Sequence, residues 1–270
     1  MRQEKLDHAD RWLRDGLQVC QPPAFFISLD ADMTRSKAAL ERLRHDGIRA
    51  TYTHVLVRAA ALALARHPDL HQLVCGTKRY RPDSIDIGLS VAGETFVAPI
   101  MVLAAADRKS LAELAAEISE RAAEVKAADA KNLAMLRKLG WLIPFAFLRR
   151  AVIRLLMSRV SFRRKGAGTF QVSSAINADV AVPFTFTTTA ILCCGRVRDR
   201  VVAVDGEPAV RPVLTLVCCV DHRVWDGRAS ERFLTTVKEI MEAGEFVPGQ
   251  HEAEAAVEVG SAVQRGHAAV

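Results

Sequence analysis

Val220-Asp221-His222-Arg223-Val224-Trp225-Asp226-Gly227 is the stretch on which the reading of this chain turns. An apolar run, Val213 to Val220, precedes it, and a segment of helical periodicity (Phe233, Leu234, Val237, Ile240, Met241) follows. The pattern predicts a strand that ends in Asp-His-Arg and turns at Asp-Gly into a helix. At such a boundary a side chain is held firmly and can still be reached by a substrate. Taken alone, His222 reads more readily as a strand-end residue beside a solvated Asp-Arg pair. Its weight depends on the rest of the chain.

Upstream, Thr187 to Arg196 and Val210 to Val220 read as apolar strands joined through an Asp205-Gly206 turn, a hairpin. Thr169 to Ser174 alternates as a strand ending in two hydroxyls, after a basic, flexible link at Arg163-Arg164-Lys165-Gly166-Ala167-Gly168. Ser84 to Val91 alternates, and Phe96 to Leu103 follows a Gly93-Glu94 turn as its hairpin partner. Helical periodicity marks residues 1–20, 34–44 and 111–125. Residues 53–66 are alanine-rich and apolar almost all round, a buried helix. Pro22-Pro23 leads into a strand from Ala24 to Leu29.

The segment Trp141 to Val160 stands apart. Its longest uncharged run is nine residues, Gly140 to Leu148, far short of the roughly twenty that span a bilayer. With Arg149, Arg150 and Arg154 it reads as a basic amphipathic helix inserted in the domain. Four roles fit: contact with an anionic membrane surface, a cover over an acyl channel, packing against a neighbouring subunit, or a core helix that snorkels its arginines.

The 270 residues suffice for one large domain, 1–246, followed by a flexible polar tail, 247–270. Net charge is +6 and the pI about 9.2, partly from the local basic cluster at 149–165. No basic stripe with aromatics or nucleic-acid module accompanies it, so no nucleic-acid partner is expected. Six cysteines include two vicinal pairs, 193–194 and 218–219, in apolar runs without Cys-x-x-Cys spacing. No metal site is expected, and each pair places one thiol in the core. The N-terminus lacks the apolar core of a secretion signal, so a cytoplasmic location is expected.

The run Leu214-Thr215-Leu216 to Phe233-Leu234, with Asp221-His222-Arg223-Val224-Trp225-Asp226-Gly227 inside it, closely resembles the Asp-His-Arg-x-x-Asp-Gly signature of dihydrolipoamide acyltransferases. These are the core acyltransferases of 2-oxo-acid dehydrogenase complexes. Val97-Ala98-Pro99-Ile100, Gly168-Thr169-Phe170-Gln171-Val172-Ser173-Ser174 and Ala190-Ile191-Leu192-Cys193-Cys194-Gly195 resemble further family segments in the family's order. The match runs over roughly residues 20–242. It implies an α/β (α+β) chloramphenicol-acetyltransferase-like fold, a mixed central sheet flanked by helices. It also implies coenzyme A as a substrate and a homotrimer with active sites between subunits. On the residues it implies His222 as general base, Ser173 as the hydroxyl facing the oxyanion, and Asp226 as the group fixing the loop and the imidazole.

Acyl transfer between thiols needs such a base, because the free thiol is a poor nucleophile near neutral pH, and histidine titrates in the right range. The chain departs from the family at Ser174, where Asn is usual, and at Thr187-Thr188-Thr189, where Asn-Pro-Pro is usual. No lipoyl domain or Ala-Pro-rich linker precedes the first strand. The reading is therefore a stand-alone relative, with a lipoylated carrier acting in trans as one acceptor. Transfer from CoA to a hydroxyl or amine stays open, as in the wider His-His-x-x-x-Asp-Gly group, where Asp221 takes the place of the first histidine. A non-catalytic trimeric scaffold is the third reading.

Overall fold

The computed structural model describes residues 6–93, 95 and 97–244. The expected tail, 247–270, lies outside them, as do Glu94 and Phe96 of the expected turn and strand. In chain order the elements are α1 (His8–Val19), β1 (Ala24–Asp32), α2 (Thr34–His45), α3 (Tyr52–Arg66), β2 (Leu73–Cys75), β3 (Lys78–Tyr80), β4 (Ile87–Ser90) and β5 (Ile100–Leu103). Then come α4 (Leu111–Leu142), α5 (Ala146–Met157), α6 (Val160–Ala167), β6 (Phe170–Ser174), β7 (Ala190–Cys194), β8 (Arg198–Val204), β9 (Glu207–Asp221) and α7 (Gly227–Ala243).

Among the described residues one mixed sheet runs β1-β9-β7-β6-β4-β5, with β8 also paired to β9. The parallel pairs are β4 with β6 and β6 with β7; the others are antiparallel. The fifteen-residue β9 is the axis of the sheet. Its second half lies between β1 and β7, and its first half carries β8. Helices α3 and α7 pack over one face. Val55, Leu56, Phe233 and Leu234 there meet Leu192, Leu216, Cys218 and Val220 in one core. The alanines of α3 let that helix sink onto the sheet, where residues 55–61 are fully or nearly enclosed.

Four expectations are corrected. The hairpin turn at Asp205-Gly206 joins β8 to β9, not the 187–196 segment, of which only Ala190–Cys194 is strand. Both turn residues have positive φ, 52° and 87°, the primed geometry that matches strand twist. The run breaks at Gly195, where a Cβ would lie 1.9 Å from the Asp179 carbonyl oxygen. The helix expected over 111–125 continues to Leu142. Ser110 starts it by a reciprocal cap with Glu113, and nothing breaks it before Pro144 forces Ile143 out of the helical region.

The segment 141–160 is accordingly not one helix but the end of α4, a corner at Pro144, and α5. The expected flexible link at 163–168 is the end of α6. Arg163 donates to the Thr187 and Val74 carbonyls, and Arg164 bonds Asp86 at 2.8 Å. Those carbonyl and carboxylate partners turn a basic run into an anchored helix.

Candidate functional site

The site begins where β9 ends. The Asp221 carbonyl accepts from Val224 N (2.9 Å) and Trp225 N (3.0 Å), which closes the turn. The Asp221 carboxylate, buried, accepts from Arg223 Nε (2.9 Å), Nη2 (2.7 Å) and backbone N (3.1 Å). The two charged neighbours of the histidine therefore satisfy each other, and Asp221 holds the Arg223 guanidinium yet more firmly protonated.

His222 itself is exposed. Its backbone N–H donates to the Pro23 carbonyl at 2.9 Å, and its ring lies 5.3 Å from that of Phe25. Nδ1 is 3.0 Å from the Trp225 carbonyl oxygen. A carbonyl only accepts, so Nδ1 carries the proton and Nε2 of the neutral ring is left as the basic nitrogen. The carbonyl is held because the Trp225 side chain is fully buried, edge-on to Phe233 at 5.3 Å and 6.4 Å from Phe170.

Asp226 does not contact the imidazole in the way expected. Its carboxylate accepts from Ala229 N at 2.7 Å, and its carbonyl accepts from Ser230 N and Oγ. It is the N-cap of α7. The loop is fixed by Asp226, and the ring by the Trp225 carbonyl. Sequence reasoning passed over that carbonyl, and the available signal was a large apolar side chain set inside a charged turn.

Ser173 is elsewhere. It pairs in register with Cys193, and Cys193 pairs with Val217, five residues before His222. At about 3.3 Å per residue and 4.8 Å between strands, roughly 19 Å separates the two backbone positions. The chain thus does not bring His222 and Ser173 together. The next residue, Ser174, accepts from Thr53 Oγ1 at 3.1 Å, at the start of α3.

The four cysteines of β7 and β9 are poor sources of a nucleophile. Burial pushes the Cys193 thiol up to about 11, against a smaller opposing pull from the Ser173 hydroxyl, and Cys194 up to about 12. Burial raises Cys218 and Cys219 as well. Thiols so placed hold no useful thiolate near neutral pH. A base such as His222 would act on a thiol that arrives with the substrate. A cleft of about 290 Å³ opens beside the Asp221–Arg223 pair, lined among others by Pro22, Thr188, Arg154, Met157 and Arg163.

The statistical model of the 2-oxoacid dehydrogenases acyltransferase catalytic domain matches residues 17–135 and 166–247. The unmatched stretch between them is the end of α4, α5 and most of α6. The dihydrolipoyllysine-residue succinyltransferase component of the 2-oxoglutarate dehydrogenase complex of Azotobacter vinelandii is 26% identical over 204 residues, 73% of this chain and 43% of that protein. The corresponding component from Escherichia coli strain K12 is 28% identical over 200 residues, 74% and 42% of the two chains. This chain therefore spans less than half the length of these relatives. Among solved structures, the probable dihydrolipoamide acetyltransferase of Listeria monocytogenes superposes with a TM-score of 0.71 at 21% identity, over 92% of this chain and 97% of that one. The cubic core of the pyruvate dehydrogenase multienzyme complex gives 0.64 at 21% identity, over 90% and 91%. The fold is that of these catalytic cores.

Proposed function

The chain belongs to the family of 2-oxoacid dehydrogenase acyltransferase catalytic domains, and from that membership we propose that it moves an acyl group between coenzyme A and a dihydrolipoyl thiol. The observation that carries this reading is the hydrogen bond from His222 Nδ1 to the Trp225 carbonyl. In the neutral ring it places the proton on Nδ1 and makes Nε2 the nitrogen that can accept one, the tautomer a general base needs. Nε2 takes the proton of the incoming thiol, and the sulfur attacks the thioester carbonyl carbon. The oxyanion then collapses, the old C–S bond breaks, and the proton returns from Nε2 to the leaving thiolate. The electron pair and the proton both end on the departing sulfur.

The oxyanion needs a donor, and we assign Ser173 to it. The roughly 19 Å between the two residues within one chain supports a site assembled from two subunits, His222 from one and Ser173 from the next. A cyclic trimer satisfies that demand with three equivalent sites. Asp226 is a positioning residue that acts through the cap of α7.

The deciding experiment is a panel of acyl-CoA donors against dihydrolipoamide, hydroxyl and amine acceptors. Dihydrolipoamide is the expected acceptor, with His222→Ala losing roughly a hundredfold or more in kcat. Transfer to a hydroxyl or amine alone would replace the acceptor assignment. A folded oligomer that binds no CoA by calorimetry would leave the scaffold reading in place.

A further inference from the structure

Helix α5 buries an arginine beside Ile153 and leaves several of its large apolar side chains outside. The side it turns inward carries Arg149, only 5% exposed, whose Nε bonds the buried Asp15 of α1 at 2.8 Å while its Nη1 donates to the Ile143 and Pro144 carbonyls. The side it turns outward carries Phe147 and Leu148, then Ala151 and Leu155 on the following turns. An amphipathic helix on a globular surface turns its large apolar side chains inward, and here Phe147, Leu148 and Leu155 stay outside. The last turns of α4 also expose Met135, Trp141 and Leu142, and Phe145 is exposed at the corner between the two helices. Trp141 is 76% exposed and Phe147 68%.

Apolar surface on this scale has an occupant, and its surroundings specify which. From Ala130 to Ala178 the chain has ten lysines and arginines and no acidic residue. Arg137, Arg149, Arg150 and Arg164 turn to the carboxylates of Asp7, Asp15 and Asp86. Lys138, Arg154 and Arg159 are exposed, Arg154 at the cleft beside Asp221 and Arg223. Apolar and aromatic groups level with cations, with no anion among them, complement a surface that is oily beneath and negative at the rim. A second copy of the same stripe would set cation against cation. The contacts that family members share would lie in the segments matched by the family model, and this stripe falls almost wholly in the unmatched 136–165. Spanning a bilayer is not an option, because among the described residues no helix is long and apolar enough.

We propose that the outward stripe of α4 and α5 lies in the headgroup region of an anionic lipid bilayer and holds the enzyme on that surface. Trp141 and the Phe145–Phe147 pair (ring centroids 5.8 Å apart) enter the acyl boundary. Lys138 and Arg159 meet the phosphates. The buried Arg149–Asp15 bond is what turns the apolar side outward. The proposal does not depend on the acyl-transfer reading.

Trp141 reports on it directly, since the other two tryptophans, Trp12 and Trp225, are buried at 5% and 0%. With phosphatidylcholine vesicles containing phosphatidylglycerol, the full chain should co-sediment, its emission should shift to the blue, and acrylamide should quench it less. Trp141→Phe should still bind and show no shift. Phe147→Ser/Leu155→Ser, and separately Lys138→Glu/Arg159→Glu, should each weaken binding by roughly tenfold or more, with thermal midpoints as in wild type. Added salt should loosen the wild type. Wild type that stays in solution, or binds neutral vesicles equally well, overturns the proposal. So does a fall in oligomer mass in the Phe147→Ser/Leu155→Ser variant without vesicle binding by the wild type, which would make the stripe a subunit contact.

Discussion

A backbone carbonyl cannot be removed by substitution, so the Trp225 oxygen that orients His222 is reached only through the groups that hold it. One is the cap by Asp226, whose carboxylate binds Ala229 N. Asp226→Ala should cost about 1 kcal/mol in urea unfolding, as N-cap losses do. Asp226→Asn should unfold like wild type and keep most of its transfer rate, because an amide oxygen caps as well as a carboxylate. A large rate loss in the Asn variant would instead assign the negative charge a role at the imidazole. A second residue-scale effect concerns His71. Its Nε2 lies 2.7 Å from Thr169 Oγ1, and burial holds its pKa down at about 4, against a partly opposing attraction from Asp86. Between pH 6.5 and 4 the unfolded chain binds a proton that the folded chain refuses. Stability present above pH 6.5 is therefore lost as pH falls to 4, by up to about 3 kcal/mol. Urea midpoints should drop across that window in wild type and much less in His71→Gln.

At the scale of elements, the Arg149–Asp15 pair ties α5 to α1. Both side chains are almost wholly enclosed, at 6% each. Removing one partner strands a buried charge. Asp15→Ala should therefore cost roughly 3 kcal/mol, whereas Asp15→Leu/Arg149→Met should recover most of it. Equal stabilities for the single and double variants, by urea titration, would count against the pair. Element scale is also where the sequence was read unevenly. The strand-turn-helix at Val220–Gly227 was legible because each of its residues has a local job: apolar strand, charged chelate, cap, helix. The course of α6 was not, because Arg163 and Arg164 are anchored by Thr187, Val74 and Asp86, distant in sequence. Nor was the break between β7 and β8, which depends on the Asp179 carbonyl approaching Gly195. The Trp225 carbonyl was invisible for another reason: backbone atoms are the same at every position.

For the whole molecule, the separation of His222 from Ser173 has a stoichiometric signature. If each site takes His222 from one subunit and Ser173 from its neighbour, His222→Ala and Ser173→Ala are each inactive alone. Dissociated, mixed in equal amounts and reassembled, they should recover about a quarter of wild-type activity, since a site is intact when a Ser173→Ala subunit supplies the histidine and a His222→Ala neighbour supplies the serine. No recovery from a properly reassembled mixture would argue for a site contained in one chain.

The pairing of β1 with β9 also sets an order of events during synthesis. Ala24 pairs with Asp221, so the strand made first waits for the strand made almost last. At roughly 5–20 residues per second the ribosome takes about ten to forty seconds to deliver the partner. Through that interval Phe25, Ile27 and Leu29 have no β9 to meet. Pro22-Pro23 at one end of β1 and Asp30 and Asp32 at the other are the residue types that discourage a free edge from pairing with a stranger. The bond from His222 N to the Pro23 carbonyl joins the start of β1 to the end of β9. The turn that carries His222 is therefore completed only when β9 has paired back onto β1.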